Sequence, residues 1–426
     1  MNFSGFLQAN MLYILEGKLE VDKEVQLVGD IQLYFRDELT DQLGIRHSEM
    51  ASYTDHQLIL RAYRKWGLTL FDKLYGSWSF VLFDHDKNLC VFSRDPTENN
   101  SLFYLSQNNA LFFSNCSIFF RNSSLFHLEV DAHELMRLSM RLVGTSRGKT
   151  MVKNLFFVDP NEYIVFHSAT AYSKHNYPSK KFEKLIYKNE SDYFLAFRSL
   201  MAQAVACRLV NVNKPGIFLS SGLDSTTVGS FLVASLKKNQ LLQSYTSVPF
   251  FVDERDKIEL VSEQPLVEYF VKNLSNVKST FLNFWDTSHA DQFSRMDELD
   301  LFFPIIHSNS FWLTGVMEQA KLDGVDTLFT GQMGNYSISF KGVESSLWNS
   351  FKTVVEYLKS RFFGNGMFRR REWKYSIIRD ELLKKCSKDS QYENEFKLGY
   401  ARCLSIASFR KKAFEKMHHF ASTQWS

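Results

Sequence analysis

A short run of small polar residues has the composition and position of a phosphate-binding loop. It reads Ser220-Ser221-Gly222-Leu223-Asp224-Ser225, and it lies between the apolar run at 216–219 and a helix-forming run that begins at Thr226. A strand, a tight turn and a helix in this order direct backbone N–H groups and the positive end of a helix dipole to one point. The serine hydroxyls add further donors for phosphate oxygens. The run therefore predicts a nucleotide-binding loop, and a helix cap that binds no ligand is the alternative.

Two residues of this loop have particular expected roles. Gly222 would allow a close approach of the backbone to a ligand, or a positive φ. Asp224 would repel a phosphate unless a cation lay between them, so it is predicted to bind Mg²⁺. The loop is not a Walker A loop, because no lysine follows its glycine. A nucleotide bound here therefore need not be cleaved at its γ-phosphate.

The elements around the loop predict an α/β domain. From about residue 190, helices are expected to alternate with strands, and Ser191 is the expected cap of the first helix. The expected helices are 191–209, 226–238 and 312–322, and the expected strands are 215–219, 244–248 and 326–329. This alternation is typical of a parallel, doubly wound sheet.

The first 175 residues have a different pattern. Short apolar runs at 25–28, 78–83, 88–92 and 110–114 predict strands, and residues 56–66 and 131–142 have helical periodicity. Strands with a few helices indicate a layered α+β domain. The polar, lysine-rich stretch 170–188 is predicted to be a linker, which gives two domains, 1–175 and 190–426.

Composition excludes several classes of protein. A net charge of +3 argues against a nucleic-acid binder. The 5 cysteines have no metal-site spacing, and their scattered positions are typical of reduced thiols in the cytosol. We find neither a signal-peptide pattern nor an apolar run long enough to span a bilayer. The sequence therefore predicts a cytoplasmic protein that does not contact a membrane.

Several segments resemble, in the same order, those of the asparagine synthetase family, which belongs to the ATP pyrophosphatase superfamily and includes β-lactam synthetases and lasso-peptide cyclases. Residues 219–225 resemble its pyrophosphate loop, SGG-L/I-D-S. The other segments are 74–84, similar to LxGxFAFALWD; 92–104, similar to ARDxxGxxPLYY; 245–248, at the place of the strand that contacts adenine; and 328–335, similar to LLSGEGxDE.

The resemblance implies a fold and a site. The expected fold is an α+β sandwich of the Ntn-hydrolase type, followed by a doubly wound α/β sheet of the ATP pyrophosphatase (adenine nucleotide alpha hydrolase-like) type. The implied ligands are ATP and Mg²⁺. Asp224 would hold the metal, with Asn335 as a weak second ligand, and Asp224, Gln332 and Asn335 occupy the catalytic positions. The implied nucleotide-binding residues are Leu219, Ser220, Ser221, Gly222, Leu223, Asp224, Ser225, Val248, Thr330 and Gly331.

The first domain departs from the family's glutaminase pattern. The family uses an N-terminal cysteine as its nucleophile, but the first cysteine here is Cys90. The glutamine-holding NGE is replaced by the stretch at 30–32. Asp55 does match a substrate-binding aspartate of the family. We therefore expect a degenerate glutamine amidotransferase type 2-like domain with a structural role and no hydrolysis of glutamine.

The second domain departs as well. Gln332 and Asn335 replace carboxylates of the family, which weakens metal binding, and Ser221 replaces the first glycine of the loop. The region after Asn335 is expected to be shorter than in the family. Candidate lysines, none of them matched to the family's catalytic lysine, are Lys374, Lys384 and Lys397. Two charged clusters have both a solvent-exposed and a ligand-binding interpretation: the basic run 369–371, and the acidic set Asp253, Glu254, Glu259 and Glu263.

The leading hypothesis is an ATP-dependent ligase that adenylates a carboxylate and releases pyrophosphate, so that an amine can attack to form an amide. Its substrates would be a peptide or a small metabolite, and its partners proteins of a biosynthetic cluster. One alternative is a glutamine-hydrolysing asparagine synthase that acts in asparagine biosynthesis. The other is a non-catalytic binding or regulatory relative. Loss of the acidic residues favours the last alternative, whereas the intact loop around Asp224 favours an enzyme.

Overall fold

The structure of the protein is a computed structural model, which describes residues 2–96, 100–139, 148–160, 162–177, 185–250, 262–284, 310–334 and 337–339. Contacts divide the described chain into two compact units. One contains residues 2–30 and 78–176. The other contains residues 31–77 and the described chain from Tyr177 onward.

Two antiparallel sheets form the first half of the chain. One has the spatial order β2 (Met11–Glu16), β1 (Ser4–Gln8), β8 (Ala110–Ser114), β7 (Phe103–Gln107) and β9 (Leu155–Phe157). The other has the order β11 (Tyr172–Asn176), β10 (Glu162–Phe166), β6 (Leu89–Arg94), β5 (Gly76–Asp84), β4 (Val25–Leu33) and β3 (Leu19–Asp22).

A single apolar core joins the two sheets. It contains residues from both, such as Leu111 and Phe113 from β8, and Val81 and Phe83 from β5. Each of the nine residues of β5 is buried, so both faces of this strand are covered. This explains the nearly continuous apolar run in the sequence, since a strand covered on one face only would alternate with polar residues.

Short helices accompany these sheets. They are α1 (Arg36–Leu43), α2 (Asp55–Trp66), α3 (Ile118–Asn122) and α4 (Ala132–Ser139), with 3₁₀ turns at His47–Ser52 and Gly67–Asp72. A capping box begins α2: the Gln57 N–H donates to Thr54 Oγ1 over 3.2 Å, and the Thr54 N–H donates to Gln57 Oε1 over 3.1 Å. These bonds satisfy backbone donors that the first turn leaves open. The helix therefore begins one residue before the predicted His56.

The later part of the chain forms a parallel sheet. Its spatial order is β14 (Val277–Leu282), β13 (Leu242–Ser247), β12 (Pro215–Phe218) and β15 (Thr327–Thr330). Every described strand pair in it is parallel. The chain moves outward from β12 through β13 to β14 and then returns to the other side of β12. In sheets of this kind, ligands bind beyond the carboxyl ends of the strands at such a reversal.

Helices cover both faces of this sheet. On one face, α5 (Glu190–Leu209), α6 (Leu223–Ser235) and α7 (Gln264–Val271) pack around Ile217 and Leu219. On the other, Val316 and Ala320 of α8 (Ser310–Leu322) pack with Phe218 and Tyr245. Neighbouring side chains on a strand point to opposite faces, so residues 217–219 contribute to both cores. The doubly wound arrangement and the antiparallel sandwich before it confirm the predicted fold class.

Several boundaries differ from the predictions. The helix predicted to start at Thr226 starts at Leu223, because Gly222 is its N-cap. Ser191 does not cap α5, which begins at Glu190 after Asn189 and has no side-chain cap bond. The stretch 170–188, predicted to be a linker, includes the strand β11. Residues 140–142 of the helix predicted at 131–142 lie outside the described residues. No helix in the described part of the chain is both long and apolar enough to cross a membrane.

Candidate functional site

The parallel sheet brings three of the expected nucleotide-binding residues to one edge. Phe218, the last residue of β12, pairs with Tyr245 and with Thr330, the last residue of β15. The Leu219 N–H donates to Tyr245 O over 2.9 Å, and the Val248 N–H donates to Leu282 O over 2.8 Å. Leu219, Val248 and Thr330 therefore all lie at the carboxyl edge of the sheet, around the reversal in strand order.

Hydrogen bonds within the loop fix its shape. Ser225 is buried, and its hydroxyl accepts from the Ser220 N–H over 3.1 Å and donates to Ser220 O over 2.9 Å. The Gly222 N–H donates to Ser220 Oγ over 3.2 Å. The hydroxyls of Ser220 and Ser225 are thus engaged inside the loop, which holds the first turn of α6 in place. The N–H groups of residues 223–225 in that turn have no intrahelical acceptor, which is the arrangement that binds anions at the start of a helix.

The glycine of this loop does not adopt the positive φ considered for it. Gly222 has φ −71° and ψ 149°, in the extended region. A methyl group at this position would meet only Ser220 Oγ, at 3.2 Å. Ser221 also has no positive φ, so the replacement of a glycine at 221 causes no backbone strain.

A second loop, which follows β15, contacts the beginning of α6. A methyl group on Gly331 would lie 2.5 Å from Ser225 N, and one on Gly334 would overlap the Asp224 carboxylate. Between these glycines, Met333 is exposed and has φ 65°. The Gly334 N–H donates to Gly331 O over 3.2 Å and closes the turn. The two loops meet at Asp224, and small residues are required where they touch.

The two carboxylate oxygens of Asp224 differ in their hydrogen bonding within the described residues. Oδ2 accepts a hydrogen bond from Ser339 Oγ over 3.1 Å. Oδ1 is buried, and within the described residues it has no hydrogen-bond partner. A buried acceptor without a donor is uncommon in folded proteins, and a carboxylate oxygen is a ligand that Mg²⁺ prefers. The residue therefore fits the expected metal.

The described residues contain no cluster of three or more metal-ligating side chains. A magnesium ion at a nucleotide site needs only one or two carboxylates, because phosphates and water supply its other ligands. Gln332 is exposed, and its N–H donates to Thr330 Oγ1 over 3.3 Å. Glu263 lies at the N-cap of α7. The other candidates lie outside the described residues: Asn335, Asp253, Glu254, Glu259, Lys374, Lys384, Lys397 and the basic run 369–371.

Asp55 is the first residue of α2, and among the described residues one of its carboxylate oxygens accepts a hydrogen bond while the other forms only an ion pair. Oδ2 accepts the Leu33 N–H over 2.9 Å, and Oδ1 is 3.2 Å from Arg36 Nη1. Arg36 also donates to Tyr53 O over 2.6 Å. Burial raises the pKa of Asp55, and the Leu33 N–H and Arg36 offset part of this effect. The carboxylate joins β4, α1 and the start of α2, while its expected contact with a substrate stays a prediction.

The described cysteines are free thiols, and Cys90 is buried in β6. Burial raises the pKa of its thiol above the ordinary value, so Cys90 is protonated at neutral pH and does not fit the role of a nucleophile.

The sequence did not indicate Ser339. It lies 115 residues from Asp224 along the chain and belongs to none of the matched segments. A single hydroxyl without a recognisable spacing gives no signal, so this contact appears only once the sheet has been folded.

Two family models match this chain. A family model described as "Asparagine synthase" matches residues 196–417, more than half of the 426 residues, and one described as "Glutamine amidotransferase domain" matches residues 19–178. Amidase chry2 of Gibberella zeae is 25% identical over 46% of this chain and 29% of its own length. Asparagine synthetase [glutamine-hydrolyzing] 3 of Bacillus subtilis is 23% identical over 53% of this chain and 36% of its own length. The matches thus span about a third of the length of these relatives.

Solved structures give weaker similarities. The glutamine phosphoribosylpyrophosphate amidotransferase of B. subtilis has a TM-score of 0.29 and 9% identity over 81% of this chain and 88% of its own. The NH3-dependent NAD synthetase of Campylobacter jejuni has a TM-score of 0.24 and 11% identity over 48% of this chain and 96% of its own. Because these scores are low, the architecture rests on the sheets described above. The family model over residues 196–417, together with the loop at Asp224 and the parallel sheet that carries it, shows that this chain belongs to the asparagine synthase family.

Proposed function

We propose that the chain is an ATP-dependent amide-forming ligase that activates a carboxylate by adenylation. The observation that carries this proposal is the position of Asp224. Its Oδ1 has no hydrogen-bond partner within the described residues. The residue lies in the first turn of α6, where two loops meet at the reversal in strand order. Family membership supports an ATP-dependent ligase in general, and the finer assignment rests on the residues of this site.

Different residues of the site would contact different parts of the nucleotide. The N–H groups at the start of α6 that lack an intrahelical acceptor, together with the helix dipole, would attract the β- and γ-phosphates. Leu219, Val248, Thr330 and Gly331 at the carboxyl edge would flank the adenosine. Asp224 carries a negative charge beside the phosphates, so a cation must lie between them. Mg²⁺ held at Oδ1 would neutralise charge on the departing pyrophosphate.

This placement determines which bond breaks. If the loop holds the β- and γ-phosphates together, they leave as one unit and the α–β bond is cleaved. A carboxylate oxygen of the substrate would bond to the α-phosphorus as pyrophosphate departs. The nitrogen of an amine would then attack the acyl carbon, lose a proton and displace AMP, which keeps the carboxylate oxygen. The products are an amide, AMP and pyrophosphate.

The described residues favour a free amine as the nitrogen donor. The thiol of Cys90 is buried and protonated, and the Asp55 carboxylate is engaged by Leu33 and Arg36. We therefore propose amide formation on a peptide or a small metabolite, with the first domain in a structural role.

A non-catalytic relative is the second candidate, and Gln332 is the observation that favours it. This exposed side chain carries an amide where the family carries a carboxylate, so one charged group of the site is absent. A protein of this kind would bind ATP without turnover.

Product analysis tests the proposal. The full chain is incubated with ATP and Mg²⁺ and a panel of amino acids and peptides, and exchange of labelled pyrophosphate into ATP is followed. We expect exchange with some carboxylates, and AMP as the nucleotide product. Formation of ADP would refute adenylation, and ATP binding without exchange across the whole panel would favour the non-catalytic candidate.

A further inference from the structure

The side chain of Asp224 is held from two sides by the chain that follows β15. Gly334 is buried against its Cβ, Cγ and Oδ1 so closely that a methyl group there would overlap all three atoms. Ser339 donates its hydroxyl to Oδ2 over 3.1 Å. The carboxylate can therefore neither rotate toward Gly334 nor turn Oδ1 away without losing the bond at Oδ2.

Ser339 is itself held by the backbone of the same loop. Its N–H donates to Gly334 O over 3.0 Å, and the Ser337 N–H donates to the same oxygen over 2.9 Å. The Gly334 N–H in turn donates to Gly331 O, and Gly331 lies against Ser225. The position of the Ser339 hydroxyl is thus fixed by the loop that also packs on the first turn of α6.

This arrangement leaves the two oxygens of Asp224 with different roles. Oδ2 is occupied by a donor, while Oδ1 is buried and has no partner within the described residues. A donor on the far oxygen of a metal-binding carboxylate fixes its orientation, and outer partners of this kind strengthen metal binding considerably.

We propose that Ser339 is a positioning residue that orients Asp224 for Mg²⁺. The inference rests on the proposed function, because it assumes that Asp224 binds the metal that accompanies ATP. In this proposal Ser339 would contact Asp224 and neither the metal nor the nucleotide. It acts through Asp224, and in this way it couples the loop after β15 to the loop after β12.

The test compares metal-dependent with metal-independent nucleotide binding. Binding of α,β-methylene-ATP to the full chain is measured by calorimetry in EDTA and over a series of Mg²⁺ concentrations. Mg²⁺ is expected to increase the affinity for the analogue. For Ser339→Ala, we expect the Mg²⁺ concentration that gives half of the maximal increase in affinity to rise at least about tenfold. Affinity in EDTA should stay as in the parent, because Ser339 would not contact the nucleotide. Ser339→Thr keeps the hydroxyl and should restore most of the Mg²⁺ effect.

Ser230→Ala is the matched control. It removes a serine hydroxyl that donates to Thr226 O within α6 and does not contact Asp224, so its Mg²⁺ dependence should equal that of the parent. If Ser339→Ala shows the parent's Mg²⁺ dependence, the inference is wrong while the proposed function stands. If Ser339→Ala loses nucleotide binding in EDTA to the same extent as with Mg²⁺, the role of Ser339 is structural and the inference is again wrong. A parent that binds no nucleotide under any condition would overturn the proposed function as well.

Discussion

Two tyrosines buried in different sheets differ in what their hydroxyl groups contact. Tyr104 in β7 is 3% exposed, and within the described residues its hydroxyl has no hydrogen-bond partner. Tyr245 in β13 is fully buried, and its hydroxyl donates to Asp323 Oδ2 over 2.8 Å. Burial raises the pKa of both phenols, and the carboxylate of Asp323 adds to the effect at Tyr245. Both groups are neutral at physiological pH, so the difference between them lies in hydrogen bonding.

Removal of the two hydroxyls should therefore change stability in opposite directions. Tyr104→Phe eliminates a buried polar group without a partner and should raise the free energy of unfolding by about 1 kcal/mol. Tyr245→Phe removes a bond to a charged acceptor and should lower it by about 1–3 kcal/mol. Chemical denaturation of the parent and both variants measures this. A loss of stability in Tyr104→Phe would mean that its hydroxyl has a partner.

At the scale of the element, the two loops at the carboxyl edge place different demands on their glycines. Gly222 was predicted to allow either a close approach of the backbone to a ligand or a positive φ, yet its φ is negative and an added methyl group would meet only Ser220 Oγ. Gly331 and Gly334 are needed for space, because the start of α6 lies directly against them. The sequence shows that all three are glycines, but the reason for each depends on how closely the loops approach.

Alanine substitutions separate these two reasons. Gly222→Ala should lower the free energy of unfolding by less than about 1 kcal/mol, since only the N-cap preference changes. Gly331→Ala and Gly334→Ala should each cost about 1–3 kcal/mol, because the added methyl forces backbone or Asp224 to move. Thermal unfolding of the three variants and the parent measures which substitutions lower the free energy of unfolding most. Equal costs at all three positions would show that the loops do not pack as described.

The parts of the site that lie close together in the sequence could be predicted from local pattern. The strand, loop and helix at 215–235 were recognisable because apolar, small and helix-forming residues follow one another directly. The strand β14 was missed, because its residues are half-buried or exposed and mix Lys and Ser with apolar side chains. The contact between Ser339 and Asp224 depends on the return of the chain across β12, which local pattern does not specify.

At the scale of the whole molecule, the expected nucleotide-binding residues share one surface. The carboxyl edge of the parallel sheet carries Leu219, Val248 and Thr330, and the loops after β12 and β15 meet there at Asp224. The resemblance to the asparagine synthetase family implied that these residues would bind the nucleotide, and the parallel strands bring them to one edge. The order β14-β13-β12-β15 adds the reason why a ligand would bind there, because sheets of this kind bind ligands beyond the carboxyl ends of the strands at the reversal in strand order.

Binding of ATP with Mg²⁺ to the parent and to Asp224→Ala, measured by calorimetry, tests the central claim most directly. Glu268→Ala is the control, because it removes an exposed carboxylate on α7 that accepts only from Gln264 among the described contacts. We predict that the parent and the control bind with equal affinity and that Asp224→Ala binds at least about tenfold more weakly. Equal affinity in all three proteins, or no binding by the parent, would contradict the account.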